Sequence, residues 1–214
     1  MEFNYNIPIR KSWGQNFLID NNTINKIIHS INPNEKDHII EIGPGRGALT
    51  NGLAHLVKYL TAIEIDPLLT YQLEKCQYKN TKIINEDILK WIPENINTKY
   101  KIVGNLPYNI SSPIIFKFLE LQCWNKMIIM VQKELADRII SKPNSKDYSR
   151  ISVMSQTFCD VKRVFNISKN VFHPKPEIES SLIIFEKRDI DVNFEKFSHL
   201  IKIAFKQRRK KIKN

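Results

Sequence analysis

Glu41-Ile42-Gly43-Pro44-Gly45-Arg46-Gly47 is an E-x-G-x-G-x-G run. Glycines so spaced accept positive φ and let a ligand press against backbone amides at a helix N-terminus. Any tight strand-to-helix turn wants glycine, so the run gains meaning from Ala62-Ile63-Glu64-Ile65-Asp66. There an acidic residue ends the next strand about 20 residues on, the position from which a carboxylate grips ribose hydroxyls. Together they point to an adenosine-containing cofactor. A nicotinamide dinucleotide would satisfy both features, but the glycines lack the G-x-G-x-x-G spacing that seats a pyrophosphate, which favours a cofactor without one. Gly104-Asn105-Leu106-Pro107-Tyr108 is the third element. An N-L-P-Y tetrapeptide suits methylation of a base amino group: the Asn oxygen and a backbone carbonyl accept from the exocyclic amine, and Tyr stacks on the ring. Taken alone it is also what a turn looks like. Following a glycine loop and an acidic strand end, it fits alignment of an amine lone pair with the sulfonium methyl of S-adenosyl-L-methionine, the rate coming chiefly from orientation.

These residues need a frame that brings strand ends together. From residue 39 short apolar runs alternate with amphipathic stretches, the pattern of βα units in a mostly parallel α/β sheet. Residues 38–42 read as the first strand, 43–47 as its turn, and 48–57 as a helix with Leu49, Leu53 and Leu56 on one face. Further strands are expected at 59–65, 81–85, 101–104 and 127–131. Ser111-Ser112-Pro113 reads as an N-cap followed by proline in the first turn of a helix over 114–121. Residues 161–167 and 181–186 are β-like runs joined by Phe172-His173-Pro174-Lys175-Pro176, so the last two strands are expected to pair antiparallel. Residues 144–150 read as a polar loop and 193–212 as one helix.

At 214 residues and 42% hydrophobic content the chain can bury a core, which excludes bulk disorder. No apolar run approaches the length of a membrane span, and Met1-Glu2-Phe3-Asn4-Tyr5 has neither the basic nor the apolar region of a secretory leader, so a soluble, cytoplasmic protein is expected. Cys76, Cys123 and Cys159 lie far apart with no CxxC, which argues against disulfides and structural zinc and for reduced core thiols. His173 has no carboxylate at a readable spacing, and no metal is expected. Glu41 is expected to be structural, bonding the loop amides. The net charge is +11, but seven of the 33 basic residues fall in 202–214 with no acid among them, leaving +4 for residues 1–201. Such a tail is the electrostatic footprint of a polyanion partner, and equally that of a solvated end.

Over nearly its whole length the sequence resembles the small-subunit ribosomal RNA adenine dimethyltransferases of the KsgA type. Besides the elements above, Arg10-Lys11-Ser12-Trp13-Gly14-Gln15-Asn16-Phe17-Leu18-Ile19-Asp20 is similar to the family's K-x-x-G-Q-N-F-L-x-D element. Asp87 in Asn85-Glu86-Asp87-Ile88, Val131-Gln132-Lys133-Glu134, Arg150-Ile151-Ser152-Val153 and the Phe172 element also follow at the expected places. The resemblance implies a Rossmann-like class I methyltransferase with a mostly parallel seven-stranded sheet and antiparallel last strands. It implies a methyltransferase domain over 1–189 and, over 190–214, the start of a C-terminal helical RNA-binding domain most of which is missing. It implies S-adenosyl-L-methionine as cofactor, with Asn16, Leu18 and Asn105 lining its site, Gly43 and Gly45 passing the methionine moiety, Glu64 holding the ribose, and Asp87 and Ile88 holding the adenine. Asn105, Leu106, Pro107 and Tyr108 would hold the target adenine and Phe172 would stack on its other face, which fits base flipping. Ile167-Ser168-Lys169-Asn170-Val171 stands where the family commonly has a proline pair.

The activity so implied is successive methylation of N6 of adenines in small-subunit (16S) ribosomal RNA, by a monomer acting on that RNA or on an immature small subunit during ribosome biogenesis. A large-subunit adenine methyltransferase of the macrolide-resistance type more often carries N-I-P-Y, and a DNA adenine methylase D-P-P-Y. A ribosome-assembly or transcription factor that keeps the fold without catalysis is the reading from another class.

Overall fold

The computed structural model describes residues 7–10 and 13–206. The expected basic tail beyond 206, and the end of the helix expected over 193–212, lie outside the described residues.

The chain runs β1 (Phe17–Leu18), α1 (Asn21–Ile31), β2 (His38–Ile42), α2 (Thr50–Leu53), β3 (Tyr59–Glu64), α3 (Pro67–Glu74), β4 (Thr81–Asn85) and β5 (Tyr100–Asn105). It continues through α4 (Ser111–Glu120), β6 (Trp124–Gln132), α5 (Lys133–Ile139), α6 (Arg150–Phe158), β7 (Cys159–Ile167), β8 (Phe172–His173), β9 (Ser180–Lys187) and α7 (Phe194–Lys206). Seven strands form one sheet in the order β4-β3-β2-β5-β6-β9-β7, and β1 and β8 form a separate two-stranded ribbon. The pairs from β4 through β6 are parallel, while β9 runs antiparallel to both β6 and β7. The expected α/β class and the antiparallel last strands are both present.

Because successive strand residues point to opposite faces, each central strand feeds two cores. Ile40, Ile42, Ile102, Met127 and Ile129 pack with Ile114, Ile115 and Phe118 of α4 and Met154 and Phe158 of α6. Ile39, Val103, Ile128 and Met130 pack on the other side with Ile27 and Ile31 of α1, Leu53 of α2, and Leu18 and Phe172 of the ribbon. Covered on both faces, the parallel strands can be nearly continuous in Ile and Val. Helix α1 is closed at both ends: Asp20 Oδ1 accepts from Thr23 N at 2.7 Å, and Asn32 at φ 49 supplies the left-handed C-cap. Helix α7 lays Phe194, Phe197 and Ile201 against the first core. Cys123 and Cys159 are buried and Cys76 half-buried, all three as free thiols. Among the described residues no helix is long and apolar enough to cross a membrane.

Two local expectations are corrected. The helix expected over 48–57 contracts to Thr50–Leu53. Gly43, Gly45 and Gly47 are all at positive φ, so the loop persists past residue 47, and Gly52 then costs helix propensity; Leu49 and Leu53 are buried while Leu56 is exposed. Ser111 is not the N-cap of α4 but its first residue, with Ile110 at the cap. Its hydroxyl instead donates back to the Pro107 carbonyl at 2.9 Å, the local competition that short polar side chains offer the backbone.

Candidate active site

From β2 the sheet grows both ways, to β3 on one side and β5 on the other. Open α/β sheets bind ligands at such a switch point, outside the carboxyl ends of the strands. Here the ends are Ile42, leading into the glycine loop, and Asn105, leading into Leu106-Pro107-Tyr108. A cleft opens there, walled by the glycine loop, the ends of β2, β3 and β5, and the N-terminal segment. Asn16, Leu18, Gly43, Gly45, Glu64, Asp87, Ile88 and Asn105, all eight residues expected around the cofactor, line it. Of the residues expected at the target base, Asn105 and Pro107 line it, whereas Leu106, Tyr108 and Phe172 do not. Leu106 and Phe172 are buried in the two cores.

The glycine loop is shaped to let something in close. Gly43 sits at φ 63 and Gly45 at φ 58, and a Cβ on Gly45 would stand 3.0 Å from the Phe17 ring. Glu64 fastens this loop: its Oε2 accepts from Gly45 N and its Oε1 from Asp66 N, each at 3.0 Å. A carboxylate has about four acceptor positions, and with the Ile65 amide also on it Glu64 keeps capacity for a hydroxyl of a ligand. The loop-fastening role expected of Glu41 thus falls to Glu64. Glu41 accepts instead from the Thr50 hydroxyl at 2.8 Å and from the Thr50 backbone N–H, at the start of α2.

Both carboxyls are almost inaccessible, Glu41 at 2% and Glu64 at 5%, and both line the cleft. Burial pushes Glu41 up to about 7, opposed by its Thr50 bonds and reinforced by the charge of Glu64. Burial likewise raises Glu64, against the lowering effect of the Asp66 and Gly45 amides. Two buried acids facing one cleft favour a cationic occupant and disfavour a diphosphate. A carboxyl whose native pKa exceeds its unfolded value of 4.5 stabilises the fold below that value and loses its contribution as pH rises through about 7. Glu41→Gln should therefore match the parent's stability near pH 5 and exceed it by of order 2 kcal/mol at pH 8. Denaturant midpoints measured across this range check it; parallel curves for the two proteins would contradict it.

The N-terminal segment straps the cleft. Asp66 is fully buried, caps α3 through Leu68 N at 3.0 Å, and accepts from Gln15 Nε2 at 3.0 Å, with Arg10 Nε 3.6 Å away. Gln15 Oε1 in turn accepts from Arg10 N at 2.7 Å. Phe17 and Leu18 then pair antiparallel with His173 and Phe172. Asp66 was not singled out from the sequence, although Asp followed by Pro67 is a helix-start signature that marks it as a cap.

The strap reaches the N-L-P-Y turn directly. Asn105 Nδ2 donates to the Asn16 carbonyl at 2.8 Å, which turns the amide so that Oδ1 remains as the acceptor. The Pro107 carbonyl takes both Ile110 N at 3.2 Å and the Ser111 hydroxyl, while Leu106 N donates to the Met130 carbonyl at 3.1 Å, so the turn is held from both sides. Tyr108 shares a 2.8 Å hydrogen bond with Ser180 Oγ, and burial raises its phenol, keeping it protonated. Phe172, only 3% exposed, is engaged in the ribbon. Among the described residues no cluster of three or more His, Cys, Asp or Glu could hold a metal, and His173 is exposed.

Known proteins bear on this arrangement. The "Ribosomal RNA small subunit methyltransferase A" of Malacoplasma penetrans is 44% identical over 208 residues, covering 95% of this chain and 76% of that protein. A dimethyladenosine transferase from Plasmodium falciparum superposes with a TM-score of 0.84 at 29% identity, over 92% of this chain and 73% of that one. The 23S rRNA methyltransferase ErmE superposes at 0.75 with 27% identity, over 90% and 80%. With residues 6–214 matching the family described as "Ribosomal RNA adenine dimethylase" and the cleft built as above, the chain belongs to the ribosomal RNA adenine dimethylase family.

Proposed function

We propose that the protein is an S-adenosyl-L-methionine-dependent methyltransferase that dimethylates N6 of adenines in small-subunit ribosomal RNA. The observation that carries this reading is the Asn105 amide, pinned by the Asn16 carbonyl at the mouth of a cleft whose other wall is the Glu64-fastened glycine loop. The buried Glu41 and Glu64 carboxyls suit a cofactor with a sulfonium and an ammonium, and argue against a dinucleotide. Bound S-adenosyl-L-methionine supplies an electrophilic methyl group. The chain's own work is alignment: Asn105 Oδ1 and the Leu106 carbonyl accept the two amine hydrogens, so the nitrogen lone pair points along the transfer line. The amine releases its proton after transfer, and no general base is required. Tyr108 offers its ring to a flipped-out adenine, and Phe172 reaches the other face only once the β1–β8 ribbon parts. The 1–189 segment is the methyltransferase domain, and 190–214 is the start of an RNA-positioning element. The enzyme acts as a cytoplasmic monomer during small-subunit biogenesis.

The small-subunit assignment rests on the 44% relative, which carries that name over most of this chain; the large-subunit enzyme ErmE is the more distant likeness. Labelled methyl transfer to unmodified small and large ribosomal subunits, offered separately, separates the two: label should enter the small subunit, and label in the large subunit alone would overturn the assignment. For the cofactor, Glu64→Ala should weaken S-adenosyl-L-methionine by about 1 to 3 kcal/mol, the range for a lost charge-assisted hydrogen bond. Unchanged affinity by calorimetry in a folded variant would remove Glu64 from the ribose.

A further inference from the structure

The turn that follows β4 carries Asp87 and Ile88 into the cleft, and it is braced from an unexpected direction. Within the turn, the Asp87 carbonyl takes Lys90 N at 2.8 Å and Trp91 N at 2.9 Å, while Asp87 Oδ1 takes Leu89 N at 2.9 Å. A single helical turn of this kind leaves its later carbonyls without backbone donors. Lys117, in the second turn of α4, satisfies three of them: its Nζ donates to the Ile88 carbonyl at 2.8 Å, to that of Leu89 at 3.0 Å, and to that of Trp91. An ammonium has three donors, so all three are spent on one five-residue segment. Burial disfavours the charge here, and Asp87 and Glu86 sustain it.

Helix α4 begins where the N-L-P-Y turn ends, with the Ser111 hydroxyl on the Pro107 carbonyl. Six residues separate Ser111 from Lys117, about 9 Å of helix rise, and between them Ile114 and Ile115 are fully buried against the sheet. One rigid element thus grips the target-base turn at its first residue and the Asp87 turn at its seventh.

We propose that Lys117 is a positioning residue that sets Asp87 and Ile88 for recognition of the cofactor's adenine, with α4 fixing that subsite relative to the N-L-P-Y turn. The proposal rests on the reading that Asp87 accepts from the adenine amine and Ile88 packs on the ring. Lys117 does not itself line the cleft; it acts by holding the Ile88, Leu89 and Trp91 carbonyls. A residue that merely stabilised the turn would alter the melting temperature and leave base recognition intact.

The test uses the full chain and two probes, S-adenosylhomocysteine and S-inosylhomocysteine, in which a ring carbonyl replaces the amine and meets Asp87 acceptor to acceptor. The parent should prefer the adenosine probe by about tenfold or more. Lys117→Met keeps the apolar stem and removes the donors, and Lys117→Gln keeps a shorter amide donor. In each variant that folds, the preference should fall to within about threefold of unity, with Lys117→Arg restoring most of it. A parent without preference would overturn the Asp87 reading and the proposal with it. A preferring parent whose folded Met or Gln variant keeps the same ratio would overturn the role of Lys117 alone.

Discussion

Replacing Asn105 by alanine should lower the single-turnover rate of methyl transfer about 100-fold or more while changing cofactor affinity only a few-fold. The side chain does two things at once in this structure. Its Nδ2 is spent on the Asn16 carbonyl, and that bond fixes where Oδ1 faces. Truncation removes the acceptor that holds the amine in line, and small misplacements of reacting groups cost on the order of 100-fold. An interaction made chiefly in the transition state lowers the rate without a matching change in ground-state binding. Rapid-quench measurement at saturating RNA and cofactor, beside calorimetry of the cofactor, reads the two separately. Equal rates for variant and parent would remove the N-L-P-Y turn from the chemistry.

The second large effect concerns the strands that carry this site. Gly104 pairs with Ile42 across β5 and β2, and a Cβ at 104 would stand 2.5 Å from the Ile42 carbonyl oxygen and 3.1 Å from the Ile42 Cβ. Neither obstacle is the end of a flexible side chain: one is backbone and the other is fixed to it. Both strands lie in the middle of the sheet, with neighbours on either side, so neither can move without breaking a further ladder. Gly104→Ala should cost about 3 kcal/mol, the upper part of the range for overpacking a core, and Gly104→Val should not yield folded protein. Because Gly43 follows Ile42 and Asn105 follows Gly104, whatever alanine variant survives should also transfer methyl more slowly. A urea midpoint equal to the parent's would show that the strands spread freely at this point.

The parts of the fold that were legible in the sequence are those specified by neighbours in the chain. Residues 81–85 form a strand with the expected bounds, and β2 spans the expected 38–42, because β-branched runs flanked by turn residues carry their own signature. The glycine loop and N-L-P-Y were legible as chemistry since each is contiguous and sits at a strand end. What escaped were relations across the chain. The Gln15 to Asp66 bond joins residues 51 apart, and the Lys117 brace joins residues 26 to 29 apart; neither leaves a local period. The β1–β8 ribbon, two residues per strand, is too short to show alternation, so a packing role for Phe172 beside its prolines is readable in the sequence but the ribbon that buries it is not. The shift of the loop-fastening role from Glu41 to Glu64 has the same cause: both lie at or next to the last residue of a buried strand, and only the three-dimensional course of the loop decides which one meets the Gly45 amide.

By this reading the cleft places two methyl groups on an exocyclic adenine nitrogen of small-subunit RNA. The most direct test is nucleoside analysis, by chromatography and mass spectrometry, of RNA from unmodified small subunits incubated with the protein and methyl-labelled S-adenosyl-L-methionine. Label should be recovered as N6,N6-dimethyladenosine, passing through the monomethyl form, and should be absent from the Asn105→Ala reaction. Label on any other nucleoside, or none from a protein that binds the cofactor, would contradict the account.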